Sequence, residues 1–334
     1  MIIRSRAPAR IEFGGGGTDY PAFFKNFDGC VLNATINKYI YGTLKPKHNN
    51  ELRLFASDFK RLNMFENSFE SHSDDIEIIK DIINALKIKY GVDIFLRSDV
   101  PPNTGLGTSA TVATAIIGLF NHLRYEKALD NFKIAELAYN INNLRNEVPG
   151  GKQCQYASVF GGFNFIEFKN NYTLVHPLKL KKSTLLELEK NLVLAYVGKR
   201  DDVKSIIVNQ QISYQDNNKL DILHKLKVNA LDMVYALKRN DILSFGEQLG
   251  KAWKLKKQLN PAITNPRIDD CYRLALDSGA IGGRIIGAGG GGHMLFYCES
   301  NKEQNVVLKL QEMGINVIDF SFTDTGLETW EANQ

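Results

Sequence analysis

The sequence predicts an α+β fold divided into two domains, and three observations carry that prediction. A chain of 334 residues suits roughly two domains of about 150 residues each. Strand-like patterning dominates the first half and helix-like patterning the second. Strands and helices are intermixed rather than regularly alternating, which favours packed α+β layers over a doubly wound sheet. The expected division is 1–180 and 181–334.

Residues 2–7 read as a short strand that leads into four consecutive glycines, Gly14 to Gly17. Val31–Ile36 and Tyr39–Leu44 are rich in β-branched and aromatic residues and read as adjacent strands parted at Asn37-Lys38. Leu52–Ala56 adds another. Residues 77–90 carry apolar positions at helical spacing and stop at Gly91. Val92–Arg97 is a strand that feeds a second Gly-rich turn, after which Thr108–Leu123 and Phe132–Asn143 read as helices. Lys152–Phe160 is a short helix stopped by Gly161-Gly162. Phe163–Phe168 alternates as a strand, and Tyr172–Val175 pairs with it as a hairpin. The second half starts with a strand at Leu192–Val197. Helices follow at 202–214, 219–238, 241–259 and 267–278. Ile285-Ile286 and His293–Cys298 are strand-like runs around a third Gly-rich loop, and a helix at Asn301–Met313 precedes a last strand at Val317–Phe322.

Composition narrows the function classes. A 44% hydrophobic and 23% charged chain is ordinary for a globular protein, and a net charge of +4 mildly favours small anions without arguing for nucleic acid. The four cysteines, Cys30, Cys154, Cys271 and Cys298, lie far apart without a C-x-x-C, so neither a disulfide framework nor a zinc site is expected. The N-terminus lacks an apolar signal region and no run reaches transmembrane length, so the expected compartment is the cytoplasm and no membrane partner is expected. The assembly state is not set by the sequence, and a homodimer is compatible with it.

Three glycine-rich loops carry the chemistry. In 101-PPNTGLGTSA-110, Gly105 and Gly107 let the backbone turn sharply and approach a ligand, and Thr108 and Ser109 open a helix whose free N–H groups attract phosphate. The Gly14–Gly17 loop is flanked by Ile11, Phe13, Tyr20 and Phe23, so it is pinned inside the fold rather than being a solvated tether. Arg10 and Asp19 stand near its ends. Arg10 suits a phosphate bidentately, Asp19 suits hydroxyls, and an ion pair between the two is the structural alternative. The third loop spans Gly287–Gly292.

These motifs, R-x-x-x-G-G-G-G-T-D-Y, P-x-x-x-G-L-G-T-S-A and G-A-G-G-G-G, resemble in order and spacing the GHMP kinase superfamily. GGKQCQYASVFGGFNFIEF and the stretch 253–272 look most like its bacterial D-glycero-D-manno-heptose-phosphate kinases, which serve nucleotide-sugar synthesis. The resemblance implies a ribosomal S5-like N-terminal domain, a ferredoxin-like C-terminal domain and a site in the cleft between them. It implies ATP and Mg2+ as cofactors and a small-molecule sugar or sugar phosphate as partner. Pro102, Asn103, Thr104, Gly105, Leu106, Gly107, Thr108, Ser109 and Ala110 would wrap the ATP phosphates, with Ser109 near the magnesium. Arg10 would sit beside the transferred phosphoryl group, and Lys152 could reach substrate. Gly15, Gly16, Gly17, Thr18, Asp19, Gly150, Gly151, Gly289, Gly290 and Gly291 would surround the sugar.

Two departures stand out. The family's sugar kinases read G-G-K-Q-D-Q, the aspartate being taken as general base, and here that position is Cys154. A carboxylate that helps hold magnesium is replaced by Asn142 and Asn143, leaving Asn143 as a weak ligand and Glu147 as a substitute from the next turn. A thiol near its ordinary pKa is a poor base at neutral pH. Loss of a base lowers phosphoryl transfer without abolishing it. A small buried side chain is the structural reading of Cys154, and a hydrogen-bonded core histidine that of His293. The alternatives to a sugar kinase are a kinase-derived nucleotide- or sugar-binding regulator and, from another class, a nicotinamide enzyme. The turn at 105–109 lacks the G-x-G-x-x-G spacing that the latter needs.

Overall fold

The computed structural model describes residues 1–49, 51–56, 74–124, 127–144, 149–200, 206, 208 and 213–332. Two sheets organise them. The first has seven strands, β1 (Ile2–Gly14), β2 (Gly29–Pro46), β3 (Leu52–Ala56), β4 (Val92–Ser98), β5 (Phe163–Phe168), β6 (Thr173–Pro177) and β11 (Glu328–Ala332). The second has four, β7 (Leu192–Gly198), β8 (Ala280–Ile285), β9 (Gly292–Cys298) and β10 (Asn316–Ile318), in the order β10-β7-β9-β8. The α+β expectation holds.

β2 is the axis of the first sheet. It pairs antiparallel with β1, β4 and β5, and β3 joins β4 in parallel. The two strands expected on either side of Asn37-Lys38 are one strand. Between the pairs Pro8–Tyr39 and Arg10–Thr35 the register shifts, so the polar dipeptide marks a bulge rather than a turn. β1 runs on through Gly14, well beyond the six residues expected, and so carries Arg10 and Glu12 on a strand. The final strand is shorter than expected, and a further one, β11, returns to pair with β1.

Helices cover both sheets. α1 (Pro21–Phe27) follows the first Gly loop, and α2 (Asp74–Leu86) precedes β4. α3 (Thr108–His122) is buried over most of its surface against β1 and β2, which is why it is apolar all round. α4 (Asn131–Asn143) and α5 (Gln153–Phe160) pack beside it, and α6 (Lys182–Asn191) leads into β7. α7 (Asn217–Lys238), α8 (Ile242–Lys257), α9 (Pro266–Asp277) and α10 (Glu303–Glu312) belong to the second half. The helix expected over 202–214 falls almost wholly outside the described residues. α8 lies close on β8, because a Cβ on Gly282 would meet the Gly246 carbonyl oxygen at 2.3 Å. No helix of the described residues is long and apolar enough to cross a membrane.

A cluster of rings joins the halves. Phe13 of β1 meets Phe163 of β5 at 5.7 Å, Phe245 of α8 at 5.3 Å and Phe322 at 6.3 Å between ring centroids. Phe13 is fully buried. Replacing Phe13 with Ala is expected to cost about 3–5 kcal/mol of stability, read as a lowered urea midpoint by circular dichroism. A loss below 1 kcal/mol would mean that the cluster is not a shared core.

Candidate functional site

The three Gly-rich loops meet around one cavity of about 560 Å³. β1 supplies Arg10 and Glu12, and its terminal loop supplies Gly16, Gly17 and Asp19. The turn before α3 and its first residues supply Pro102, Asn103, Thr104, Gly105, Gly107, Thr108, Ser109 and Ala110. The end of α4 contributes Asn142 and Asn143, the turn before α5 Gly150 and Gly151, and α5 itself Gln153, Cys154 and Gln155. Arg200, Lys256, Gly287 and Ala288 close the wall from the second half.

The turn before α3 is held by its own backbone. Asn103, Gly105 and Gly107 all have positive φ, and at Gly105 a Cβ would lie 2.4 Å from the Arg200 Nη2 and 2.6 Å from the Ile286 oxygen. Leu106 is buried as a plug rather than lining the cavity. The Arg10 amide donates to the Leu106 oxygen at 3.1 Å, and the Arg10 Nη1 donates to the Gly105 oxygen at 2.5 Å. On the other side the His293 amide and Nδ1 both donate to the Thr104 oxygen, at 3.0 and 2.8 Å. His293 is therefore a buried core histidine, and burial pushes its pKa down to about 4. Gly107 has no capping side chain, so the first N–H groups of α3 open at the cavity wall.

The loop after β1 is equally fixed. A Cβ on Gly16 would fall 2.1 Å from the Glu12 Oε1, so that carboxylate lies directly under the loop. Asp19 accepts from the Gly17 amide at 3.1 Å and the Gln153 amide at 3.2 Å. Burial, with the charge of Glu12, raises its carboxyl above the ordinary range in spite of those bonds. An Arg10–Asp19 ion pair is absent among the described residues, because Arg10 turns to Gly105 and to the Cys154 Sγ at 3.0 Å. Gly15 and Thr18 sit behind the wall, where the Thr18 hydroxyl donates to the Cys30 oxygen. Tyr214 reaches across from the second half to donate to the Gly17 oxygen at 2.6 Å.

Other expected site residues fall differently. Lys152 points away, with Nζ bonded to the Glu136 carboxylate at 2.8 Å. Gly289, Gly290 and Gly291 pack against Ile263, Ile206 and Lys199, whereas Gly287 and Ala288 face the cavity. The Asn143 Oδ1 accepts from the Gly150 amide at 2.6 Å, which clamps the turn before α5. Asn142 donates to the Ser109 hydroxyl at 3.3 Å and accepts from Gln155 at 3.2 Å. Glu147 lies outside the described residues. Burial raises the Cys154 thiol in spite of Arg10, so it is protonated at neutral pH.

Sequence reasoning missed four charged residues. Glu12 and Arg284 form an ion pair at 2.6 Å, almost wholly buried, and Arg284 also donates to the Phe13 oxygen at 2.6 Å. Burial acts to raise Glu12, but the charges of Arg284, Lys256 and Arg10 outweigh it and hold the carboxyl below its usual range. Arg200 donates to the Ile286 and Gly291 oxygens, and the Lys256 ammonium to the Gly287 oxygen. The Glu12 signal was available, since it stands two residues from Arg10 and shares its face of the strand. Lys256 sits in a lysine-rich helix end and has no such signal.

Comparisons with known proteins agree with this arrangement. A family model described as the GHMP kinases N terminal domain matches residues 77–162, and one described as GHMP kinases C terminal matches residues 233–316. The D-glycero-alpha-D-manno-heptose 7-phosphate kinase of Campylobacter jejuni is 34% identical over 98% of both chains. Among solved structures, a putative sugar kinase from Campylobacter jejuni aligns with a TM-score of 0.79 at 33% identity over 98% of both chains. A D-glycero-D-manno-heptose 1-phosphate kinase from a Bacteroides species aligns with a TM-score of 0.82 at 29% identity, over 99% of this chain and 100% of the other.

The buried pair generates a prediction. Glu12→Gln leaves Arg284 uncompensated and is expected to cost about 3–5 kcal/mol. Because the folded pKa of Glu12 is depressed, its contribution is complete above the ordinary carboxylate range and fades as pH falls through the folded value. Chemical denaturation of wild type and variant should thus differ most at neutral pH and converge in acid. An equal gap at every pH would refute the assignment.

Proposed function

This chain belongs to the GHMP kinases, and from that premise we propose that it transfers a phosphoryl group from ATP to a hydroxyl of a sugar phosphate, of the heptose 7-phosphate class. The observation that carries the proposal is the meeting of three Gly-rich loops on one cavity, with the start of α3, Arg10 and Asp19 all lining it. The N–H groups at the start of α3 hold the triphosphate. Arg10, oriented by the Gly105 oxygen, faces the transferred phosphoryl. Asp19, with both oxygens already aimed by backbone N–H groups, receives sugar hydroxyls.

Magnesium comes with the nucleotide in this reading. Among the described residues no three His, Cys, Asp or Glu side chains gather into a metal site. The Ser109 hydroxyl is a side-chain oxygen at the start of α3, and it accepts from the Asn142 amide; the Asn142 Oδ1 accepts from Gln155 and the Asn143 Oδ1 from Gly150. That set suits an ion that keeps its waters and is held chiefly by phosphate oxygens. When bound, the ion neutralises phosphate charge; positioning falls to the protein.

Cys154 does not take up the hydroxyl proton, since its thiol is raised by burial; the proton passes to an oxygen of the transferred phosphoryl group and from there to solvent. Catalysis then rests on positioning and charge stabilisation, which dominate phosphoryl transfer. An aspartate at 154 would place a carboxylate beside the Arg10 guanidinium.

Steady-state ADP release with ATP and a panel of sugars and sugar phosphates tests the activity; turnover is expected with a heptose phosphate, and none with any sugar would refute it. Cys154→Asp is expected to raise kcat about 10- to 100-fold, at or below the low end of what a positioned base contributes, with KM for ATP unchanged. A fall in kcat would show that the thiol, not the missing carboxylate, suits this cavity. Gly105→Ala should abolish nucleotide binding by calorimetry, because its Cβ has no room.

A further inference from the structure

The charge on the cavity wall is unevenly shared. Its charged lining side chains are Arg10, Glu12, Asp19, Arg200 and Lys256 among the described residues. Glu12 is committed to Arg284, and Asp19 to two backbone amides. Lys256 is 2% exposed and Arg200 7%, and neither has a carboxylate within salt-bridge distance among the described residues. Among the described residues both donate to main-chain oxygens of the third loop and its leading flank, Lys256 to Gly287 and Arg200 to Ile286 and Gly291. Two buried cations with no carboxylate within salt-bridge distance among the described residues are costly, and such groups are retained where a ligand supplies further negative charge.

Neither stands on the helix start that receives the triphosphate, although Arg200 touches the turn before it at Gly105. Side chains at that end, Pro102, Asn103, Ser109 and Asn142, carry no charge. The charges that act most on Lys256 are Glu12, which lies under Gly16, and then Arg284, Arg200 and Arg10. Lys256 stands between the Gly287 oxygen of the third loop, to which it donates, and the Glu12 carboxylate beneath Gly16. Arg200 stands at the seam, within contact of Gly105 and Gly287.

We propose that Lys256 and Arg200 form a subsite for the phosphate monoester that the sugar already carries, and so select phosphorylated over neutral sugars. The inference rests on the kinase reading and deepens it. A phosphate dianion there would accept from the ammonium and from the guanidinium N–H groups left over by the two carbonyls. It would also reverse the local penalty. Burial, aided by the neighbouring arginines, pushes the Lys256 ammonium down to about 7, and Arg200 to about 10. An adjacent dianion favours the charged form of each.

The test compares wild type, Lys256→Met and Arg200→Met in steady-state assays with ATP, using heptose 7-phosphate and the corresponding unphosphorylated heptose. Each variant is expected to raise KM for the sugar phosphate about 10- to 100-fold, in keeping with the loss of one charge-assisted hydrogen bond, while KM for ATP stays within twofold. The neutral sugar should show equally poor kcat/KM in all three proteins. An unchanged KM for the sugar phosphate overturns the subsite, and so does a rise in KM for ATP instead, which would assign the cations to the nucleotide. ATP affinity within twofold of wild type also certifies that a variant is folded. Inorganic phosphate added without nucleotide gives a second readout: it should raise the melting temperature of wild type more than that of the variants, which keep the anion site at the start of α3, and equal shifts would overturn the proposal. Failure of the kinase reading looks different, since wild type itself would then release no ADP with either sugar.

Discussion

The ion pair between Glu12 and Arg284 is the constraint on which the site depends. Glu12 stands on β1 of the first sheet and Arg284 on β8 of the second, so one fully buried contact fastens the two halves together. Buried pairs of this kind are weak contributors to net stability but heavily penalise any arrangement that separates them. The pair therefore fixes how the halves meet. Its carboxylate forms the floor beneath Gly16, and its guanidinium holds the Phe13 oxygen at the edge of the aromatic cluster. Floor, loop and core are positioned by the same two side chains.

From that junction the backbone of the phosphate-facing turn is pinned on both sides. β1 reaches it through Arg10, and β9 through His293, which donates twice to one carbonyl. The carbonyls of the turn are consumed by these bonds. The N–H groups at the start of α3 are what remain at the wall, so donors rather than acceptors face the cavity there. The third loop approaches from the other half, with Gly287 and Ala288 turned toward the cavity.

Position 154 carries no charge on the cavity wall. A thiol raised by burial is neutral there, and Arg10 donates to the Cys154 sulfur instead of a carboxylate oxygen. The guanidinium keeps its place because the Gly105 oxygen holds its other arm. The orientation of Arg10 is thus set by the main chain and does not require a carboxylate at position 154. Asn143 follows the same logic: its oxygen clamps the Gly150 amide, so the residue shapes the turn ahead of α5.

The sequence by itself determined the α+β class, most helices and strands, and the three Gly-rich loops, because periodicity, helix stops and glycine runs are local signals. It also placed Arg10 and Asp19 at one site, since motif spacing survives without knowledge of the fold. Asn37-Lys38 misled because a bulge and a turn share the same polar residues, and only pairing with β1 distinguishes them. The length of β1, the return of β11 to its edge, the outward turn of Lys152 and the gathering of Glu12, Arg200, Lys256 and Arg284 were decided by tertiary structure. Those charges come from positions far apart in the chain, and Arg200, Lys256 and Arg284 look in sequence like solvated surface residues. Only the closing of the two sheets on each other removes them from water and gives each a partner or a task.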